Sequence, residues 1–385
     1  MMNTEVTQTV APTNAQVEEL LDLVVHEVQL TDSQHEDAKS KYDAVGRWLA
    51  AVDSPVRPLE PNIYPQGSLR IGTTVKPWRH VEFDLDLVCE ITPTHLLEPL
   101  EAYDLLLARM QQSATYAPIL EPKYRCIRLN YANNFHLDIV PAIPSPDRAA
   151  GTAILIPDRD KAAWHSSNPL GYAEWFHDIA ALPVTKRVLA DARIEPLQAP
   201  EPLGNKAPLK LAVQLLKRAR DVAFAEHPDA APSSIILTTL AASVYRKEAR
   251  ATDAFTAVLD RCYALASRGP IHLTNPANPG ESFTDRWRTD PRSYAAFVEQ
   301  IGALRERWLT EVLDGDFVTA SRALKEIFGY VLVGAALVKY ADRRTQAREK
   351  RHLFVSRKSG TLMTAAAAGS VRVPDHTFFG GSDDE

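Results

Sequence analysis

The chain has 385 residues, of which 45% are hydrophobic and 24% are charged, close to the averages for soluble globular proteins. This composition excludes a mainly disordered, collagenous or membrane-embedded chain, and the length favours two compact lobes or one elaborated domain, since a domain usually holds ~100–200 residues. Lys and Arg total 43 against 49 Asp and Glu, a formal net charge of −6, so a nucleic-acid partner is disfavoured.

The cysteines and the apolar runs predict a cytoplasmic protein. Cys89, Cys126 and Cys262 show no CxxC spacing and predict neither a disulfide framework nor a zinc site. The amino terminus lacks a basic segment followed by an apolar stretch. The longest apolar run, residues 330–338, is far shorter than the ~20 residues of a membrane helix. We therefore expect no membrane partner.

The pattern over residues 14–51 predicts helices. Thr31 and Gln34 fit a capping box, which predicts that a second helix begins at Thr31. Four prolines over residues 53–65 end the helical pattern. The apolar stripe of the first helix consists of Val17, Leu20, Leu21, Val24, Val25 and Val28.

Alternating segments then predict strands. Over residues 81–91, apolar side chains alternate with Asp84 and Asp86, which places both carboxylates on the face opposite the core. Residues 123–131 and 135–140 also alternate, and Ala132-Asn133-Asn134 between them predicts an antiparallel hairpin. Asp138 then lies on the open face. The apolar residues of the first strand are Phe83, Leu85, Leu87, Cys89 and Ile91.

The second half of the chain predicts a helical lobe. We expect a first lobe over residues 1–205, a helical lobe over residues 206–354 and a flexible tail over residues 355–385. The predicted helices of the second lobe cover residues 208–225, 233–248, 293–312 and 321–348.

The carboxylates predict a metal site. Asp84 and Asp86 share one face of a strand and Asp138 is available from the hairpin. Each pair of such charges ~4 Å apart repels by ~1–4 kcal/mol at effective dielectrics of ~80 to ~20, so a cation is expected among them. Oxygen ligands with open positions suit Mg²⁺ or Mn²⁺ bound together with substrate phosphates. Taken alone, Asp84 and Asp86 also fit a solvated strand face.

Gln66-Gly67-Ser68 predicts a phosphate contact beside these acids. A glycine lets the backbone approach a phosphate closely, and the Ser68 hydroxyl with nearby N–H groups binds its oxygens. A helix N-cap is the alternative role for Ser68, and the two roles are compatible.

Together these residues resemble the active site of the DNA polymerase β-type nucleotidyltransferases. Gly67-Ser68 is followed by Asp84-x-Asp86, which begins sixteen residues after the serine, and then by Asp138. The flanking sequence, residues 65–74 leading into residues 82–88, is similar to the bacterial CD-NTases, the cGAS/DncV-like oligonucleotide cyclases of anti-phage signalling systems. The resemblance covers roughly residues 15–355.

The resemblance implies an α/β (α+β) fold with a polymerase β-like mixed sheet and a helical second lobe. It implies that ATP, GTP or other NTPs are joined into a cyclic di- or trinucleotide second messenger with the help of two Mg²⁺ ions, or Mn²⁺ in their place. Asp84 and Asp86 would ligate both ions, and Asp138 would hold the ion that activates the attacking hydroxyl. Gln66, Gly67 and Ser68 would contact the nucleotide.

Further nucleotide contacts are implied in the helical lobe. Lys217 corresponds to a family lysine on the triphosphate, and Ser233 or Ser234 to its serine partner. Residues 275–281 resemble the family loop near the base, and we name Asn278 as its candidate contact. From the residues alone, Lys217 also fits a solvated helix face, and each serine also fits an N-cap. The polar stripe that carries the lysine is Lys210, Gln214, Lys217 and Asp221.

Other acceptors and another class of protein remain as alternatives. The same chemistry could modify a protein side chain, a small molecule or an RNA end. A non-catalytic nucleotide-binding module is the alternative from a different class, and the presence of all three acids argues against it.

The carboxyl-terminal segment predicts a protein partner. Phe378, Phe379 and Gly380-Gly381 stand in an otherwise unpatterned stretch and suit docking onto another protein. In the resembling family, ubiquitin-transfer-like enzymes act on the terminal glycine of some members. Residues 382–385 follow here, so such conjugation requires trimming. The alternative is that the two aromatic side chains fold back onto the enzyme.

Overall fold

The computed structural model of the chain describes residues 15–79, 83–93, 97–131, 135–146, 151–180 and 194–357, together with residues 362–364, 366 and 369–373. Contacts divide the chain into two units, Val28–Arg305 and a second unit of Met1–Glu27 with Glu306–Glu385. The boundary predicted between residues 205 and 206 falls inside the first unit. The predicted docking aromatics, Phe378 and Phe379, lie outside the described residues.

A mixed sheet forms the centre of the first unit, and its described residues contribute seven strands. The order is β1-β2-β5-β4-β3, and β6 pairs with β5 and with β7. Only the β2–β5 pair is parallel among the pairings of this sheet in the described ranges. The strands are β1 (Asn62–Gln66), β2 (Phe83–Glu90), β3 (Leu120–Pro122), β4 (Ile127–Tyr131), β5 (Phe135–Pro144), β6 (Ile154–Asp158) and β7 (Ala163–Ser167).

Helices and one small hairpin complete this unit. The hairpin pairs β8 (Thr274–Asn275) with β9 (Asn278–Ser282). The helices are α2 (Asp32–Leu49), α3 (Gly67–Ile71), α4 (Pro99–Gln111), α5 (Pro169–Ala180), α6 (Pro208–Ala223), α7 (Ser234–Val244), α8 (Ala251–Ala266), α9 (Asp285–Thr289) and α10 (Pro291–Arg307), which ends just past the unit boundary.

The core of the first unit confirms the alternation predicted for β2. Its apolar side chains are buried in a cluster with residues of α2, α4 and β5, whereas Asp84 and Asp86 point to the other face. The capping box predicted at Thr31 is present at the start of α2. The antiparallel hairpin predicted around Asp138 is present as β4 and β5.

The second unit contains α1 (Ala15–Glu27), a π-helical segment (Trp308–Leu313), α11 (Phe317–Phe328) and α12 (Tyr330–Glu349). Arg344 of α12 donates to Glu19 of α1 at 2.9 Å. The continuous helix predicted over residues 321–348 was wrong, because Gly329 adopts φ +98° and separates α11 from α12. None of the helices in the described ranges is long and apolar enough to cross a bilayer.

The predicted tail contains regular structure. Strands β10 (Phe354–Ser356), β11 (Leu362–Met363) and β12 (Ser370–Arg372) form an antiparallel sheet in the order β11-β10-β12. The sequence analysis did not foresee these paired strands within the predicted tail. Segments of two or three residues are too short for an alternating pattern to be recognised, and their pairing depends on partners elsewhere in the chain.

Candidate active site

The turn from β1 into α3 places Gly67 against an acid of the neighbouring strand. β1 pairs with β2 so that Gln66 lies opposite Asp86. Gly67 adopts φ +63°, and a Cβ atom there would lie 2.1 Å from Asp86 Oδ2. Glycine is needed for the backbone conformation and for the close approach alike.

The three predicted acids lie together at the sheet. Asp84 and Asp86 share the open face of β2, and the parallel pairing with β5 sets Asp86 opposite Asp138. The Asp84 side chain is 54% exposed, whereas that of Asp138 is 10% exposed. The carboxylate of Asp138 is therefore largely shielded from solvent, whereas that of Asp84 is not.

Arg128, which sequence reasoning missed, pairs with these acids. Its Nε donates to Asp138 Oδ1 at 2.8 Å and its Nη2 donates to Asp138 Oδ2 at 2.7 Å. The same Nη2 lies 3.4 Å from Asp84 Oδ1. Arg128 alternates with apolar residues of β4 and stands opposite Asp138 in the hairpin register, so counting back across the turn would have found it.

The electrostatics of the acids indicate a need for a cation. Burial, together with the negative charges of Asp84 and Asp138, raises the pKa of Asp86 to about 8. The pKa of Asp84 is also raised, by burial of its surroundings and by Asp138, although Arg128 opposes the shift. A positive ion close to both carboxylates would favour their ionised forms and so lower both pKa values.

The donor set of these acids suits a hard divalent ion. Asp84, Asp86 and Asp138 offer only carboxylate oxygens, which Mg²⁺ and Mn²⁺ prefer. As the side chains stand, no group of three Asp, Glu, His or Cys in the described part of the chain is arranged to hold one ion. Asp138 is instead engaged by Arg128 through both oxygens.

Lys217 and Ser68 line the same cavity as Asp84 and Asp86. Lys217 is only 3% exposed and donates to the Thr73 carbonyl at 3.1 Å and to Thr73 Oγ1 at 3.0 Å, so the solvated-face alternative was wrong. Burial and the neighbouring Arg220 lower its pKa to about 7. The N-cap of α3 is Gln66 rather than Ser68, whose hydroxyl lies 3.0 Å from Thr74 Oγ1.

The two candidate serines of α7 differ in their surroundings. Ser234 lines the cavity and accepts a hydrogen bond from Arg220 Nη1 at 3.0 Å. Ser233 is exposed and occupies the N-cap position without a capping hydrogen bond. Asn278 donates to Ser166 at 3.0 Å.

A cavity of about 510 Å³ joins these groups. Asp138, Ser233 and Asn278 are not among the side chains that line it. The predicted residues in its wall are Gln66, Gly67, Ser68, Asp84, Asp86, Lys217 and Ser234.

A further group of polar and aromatic side chains lines the cavity wall, and sequence reasoning did not assign them individual roles there. Glu281 accepts from Ser167 at 3.1 Å and from Asn275 at 2.8 Å. Tyr172 meets Phe283 edge to face, with ring centroids 5.9 Å apart. The resemblance pointed to the loop of residues 275–281, but no periodic pattern distinguishes these side chains. The missed wall residues include Arg125, His165, Ser167, Arg220 and Phe283, whereas Asn275 and Glu281 are the ends of the loop that the resemblance indicated.

Comparison with known proteins agrees with this geometry. Residues 15–179 match the family described as the Second Messenger Oligonucleotide or Dinucleotide Synthetase (SMODS) domain. A c-di-GMP synthase of Roseivirga ehrenbergii is 31% identical over 381 residues, covering 95% of this chain and 97% of the relative. The cyclic dinucleotide synthase CdnG of Bradyrhizobium diazoefficiens is 28% identical over 388 residues, covering 91% of this chain and 89% of the relative.

A solved structure supports the same relationship. The Bradyrhizobium diazoefficiens CD-NTase CdnG in complex with GTP matches 85% of this chain and 100% of its own, with a TM-score of 0.68 and 26% identity. The match confirms the polymerase β-like mixed sheet with associated helices. The chain therefore belongs to the CD-NTase family of cGAS/DncV-like nucleotidyltransferases, which synthesise cyclic oligonucleotides from nucleoside triphosphates.

Proposed function

We propose that this chain is a Mg²⁺-dependent cyclic dinucleotide synthase of cytoplasmic anti-phage signalling, with GTP among its substrates. The observation that carries the proposal is that Asp84, Asp86 and Lys217 line one cavity together with Gly67, whose backbone approaches Asp86 closely. This set provides carboxylates for metal ions and a buried cation for a triphosphate.

Each residue has a role in the transfer. Gly67, Ser68 and Lys217 hold the triphosphate tail, and Asp84 and Asp86 would hold the ions. When bound, two such ions activate the attacking hydroxyl and neutralise the leaving pyrophosphate. Asp138 would hold the ion beside the ribose hydroxyl, and it helps to remove the proton of that hydroxyl. That oxygen bonds to the α-phosphorus while the bond to pyrophosphate breaks, and a second transfer closes the ring.

The cavity supports guanine as one of the bases. Arg125 and Glu281 both lie in its wall. Guanine presents acceptors at O6 and N7, which suit an arginine, and N–H donors at N1 and N2, which suit a carboxylate. The c-di-GMP synthase relative and the GTP complex of CdnG point to the same base.

Labelled nucleotides test the reaction and its product. The purified chain is incubated with labelled GTP alone, labelled ATP alone or both, with Mg²⁺ or with EDTA, and the products are treated with phosphatase. We expect a phosphatase-resistant product whenever GTP is present, and none with EDTA or with the Asp84→Asn/Asp86→Asn variant.

Other outcomes would contradict the proposal in different ways. A product that phosphatase degrades shows a linear end, and label retained on protein or RNA shows another acceptor. A resistant product from ATP alone, with GTP unused, refutes the assignment of guanine. For the anti-phage role, cells that express the chain with its neighbouring genes should lower phage plating, and the double variant should not.

A further inference from the structure

Arg128 is the cation that the structure places within the acid cluster. β4 sets it directly opposite Asp138 on β5. Its guanidinium binds both oxygens of Asp138, at 2.8 and 2.7 Å, and Nη2 also reaches Asp84 Oδ1 at 3.4 Å. One side chain thus contacts acids of two neighbouring parallel strands.

The two contacts differ in strength. The bidentate contact with Asp138 is short and largely shielded, since the Arg128 and Asp138 side chains are 23% and 10% exposed. The contact with Asp84 is longer, and the Asp84 side chain is 54% exposed. Charge-assisted bidentate pairs hold a carboxylate in one orientation, whereas a single contact near 3.4 Å is weak.

The position of Nη2 matters for metal binding. It contacts the carboxylates of both Asp84 and Asp138, and these are two of the acids that would hold a divalent ion. Each Asp138 oxygen accepts one hydrogen bond from Arg128, and the Cys126 thiol also hydrogen-bonds this carboxylate, which still leaves part of its roughly four lone-pair sites. An ion can therefore use Asp138 without breaking its pairing with Arg128, but it competes with the guanidinium for Asp84.

We propose that Arg128 is a positioning residue that fixes the orientation of the Asp138 carboxylate. Its positive charge also balances the acid cluster, and its contact with Asp84 breaks when a divalent ion binds. This inference rests on the proposed function, in which the acids hold metal ions. Orientation of Asp138 and competition for the ion are separable, because the first depends on the planar fork and the second on the charge.

Two variants separate these effects. Arg128→Met removes both the charge and the fork, while Arg128→Lys keeps the charge and loses the fork. Lys123→Met is the control, since it removes one cation from a surface pair with Glu121 outside the cavity. Circular dichroism and thermal melts establish that each variant is folded.

The first readout is binding of Mn²⁺ to the nucleotide-free protein, followed by the electron paramagnetic resonance of free Mn²⁺. Removing a unit charge close to a divalent ion should tighten binding by about tenfold or more in Arg128→Met. Arg128→Lys and Lys123→Met should stay within about threefold of wild type. Unchanged or weaker binding by Arg128→Met overturns the counter-charge role.

The second readout is steady-state turnover with saturating Mg²⁺. Both Arg128 variants should lower kcat by about tenfold or more with little change in KM for GTP, whereas Lys123→Met should not. Turnover by Arg128→Lys within about threefold of wild type overturns the positioning role, and this variant decides that point even if Arg128→Met fails to fold. If the wild-type protein makes no cyclic product, the proposed function fails, while the Mn²⁺ titration still decides the charge role.

Discussion

Gly67 gives the sharpest test of the active-site geometry, because an alanine there should damage catalysis far more than folding. Its φ of +63° is strained for any residue with a side chain. The added methyl would also lie 2.1 Å from Asp86 Oδ2 and 3.0 Å from Asp86 Cγ. The Gly67→Ala chain must therefore move either the carboxylate or the end of β1.

The size of each effect follows from these distances. The left-handed conformation costs a non-glycine residue ~1–2 kcal/mol of stability. Ordinary contact begins at 3.4 Å, so Asp86 Oδ2 must retreat by more than 1 Å from its present 2.1 Å separation. A misplacement of ~1 Å in a reacting group can cost ~100-fold in rate, so kcat should fall by about that factor.

Gly72→Ala is the matched control at the other end of α3. Gly72 also has a positive φ, +72°, but its Cβ would meet Lys210 Nζ at 3.5 Å, an ordinary contact. Both variants should lose similar stability in thermal melts, and only Gly67→Ala should lose most of its cyclic product formation. Equal losses of activity in the two variants, or near wild-type turnover by Gly67→Ala, would refute the reasoning.

Three further predictions concern the acids, the lysine and the carboxyl terminus. Asp84→Asn with Asp86→Asn should abolish transfer. In EDTA, Asp86→Asn alone should have a higher melting temperature than wild type at pH 8.5, and a smaller advantage at pH 5.5. The pKa of Asp86 is raised to about 8 in the folded protein, so the wild type loses stability as the pH rises towards that value. A lower melting temperature at pH 8.5 would argue against repulsion among the acids. Lys217→Ala should weaken GTP binding or turnover about tenfold or more. Lys210 lies on the same stripe but outside the cavity wall, so Lys210→Ala should have a smaller effect on GTP binding and turnover. If the two variants bind GTP equally well, a structural role for Lys217 is favoured. Deleting residues 374–385 leaves β12 intact and should preserve synthesis while impairing pull-down of proteins encoded beside the chain; loss of synthesis would show that the segment belongs to the fold.

The sequence predicted the local part of the site well. Alternation along β2 identifies the face that carries Asp84 and Asp86, because a strand repeats every two residues and one face is buried. The hairpin predicted around Asp138 also implies the register that places Arg128 opposite it. The parallel pairing of β2 with β5 is not encoded in either strand alone, so the sequence could offer Asp138 from the predicted hairpin but could not show that it lies opposite Asp86.

The errors have equally physical causes. A single glycine within a helical pattern costs only ~1 kcal/mol, so the pattern could not show that Gly329 ends α11. The helical periodicity also could not show whether Lys217 is buried or exposed, because a polar stripe between apolar flanks can face either a cleft or the solvent. Burial of that stripe depends on the segment of Thr73 and Thr74, which lies about 140 residues earlier in the chain.

The charges that line the cavity point to opposing proton exchanges when nucleotide and metal bind. The pKa of Asp86 is raised to about 8, so an ion that binds its carboxylate near pH 7 must displace a proton, and metal affinity should increase with pH up to about 8. The pKa of Lys217 is lowered to about 7, so phosphates that bind its ammonium take up a proton, and their affinity should decrease above about pH 7. The two slopes partly cancel for the metal–nucleotide complex, whose affinity should vary little between pH 7 and 8. Titration with Mn²⁺ alone should show the increase in affinity with pH, and this increase should disappear in Asp86→Asn. In Lys217→Ala, the affinity for the metal–nucleotide complex should increase with pH, because the opposing effect of the lysine is gone. A flat Mn²⁺ profile in the wild-type protein would show that Asp86 is already ionised and would remove the basis for the cancellation.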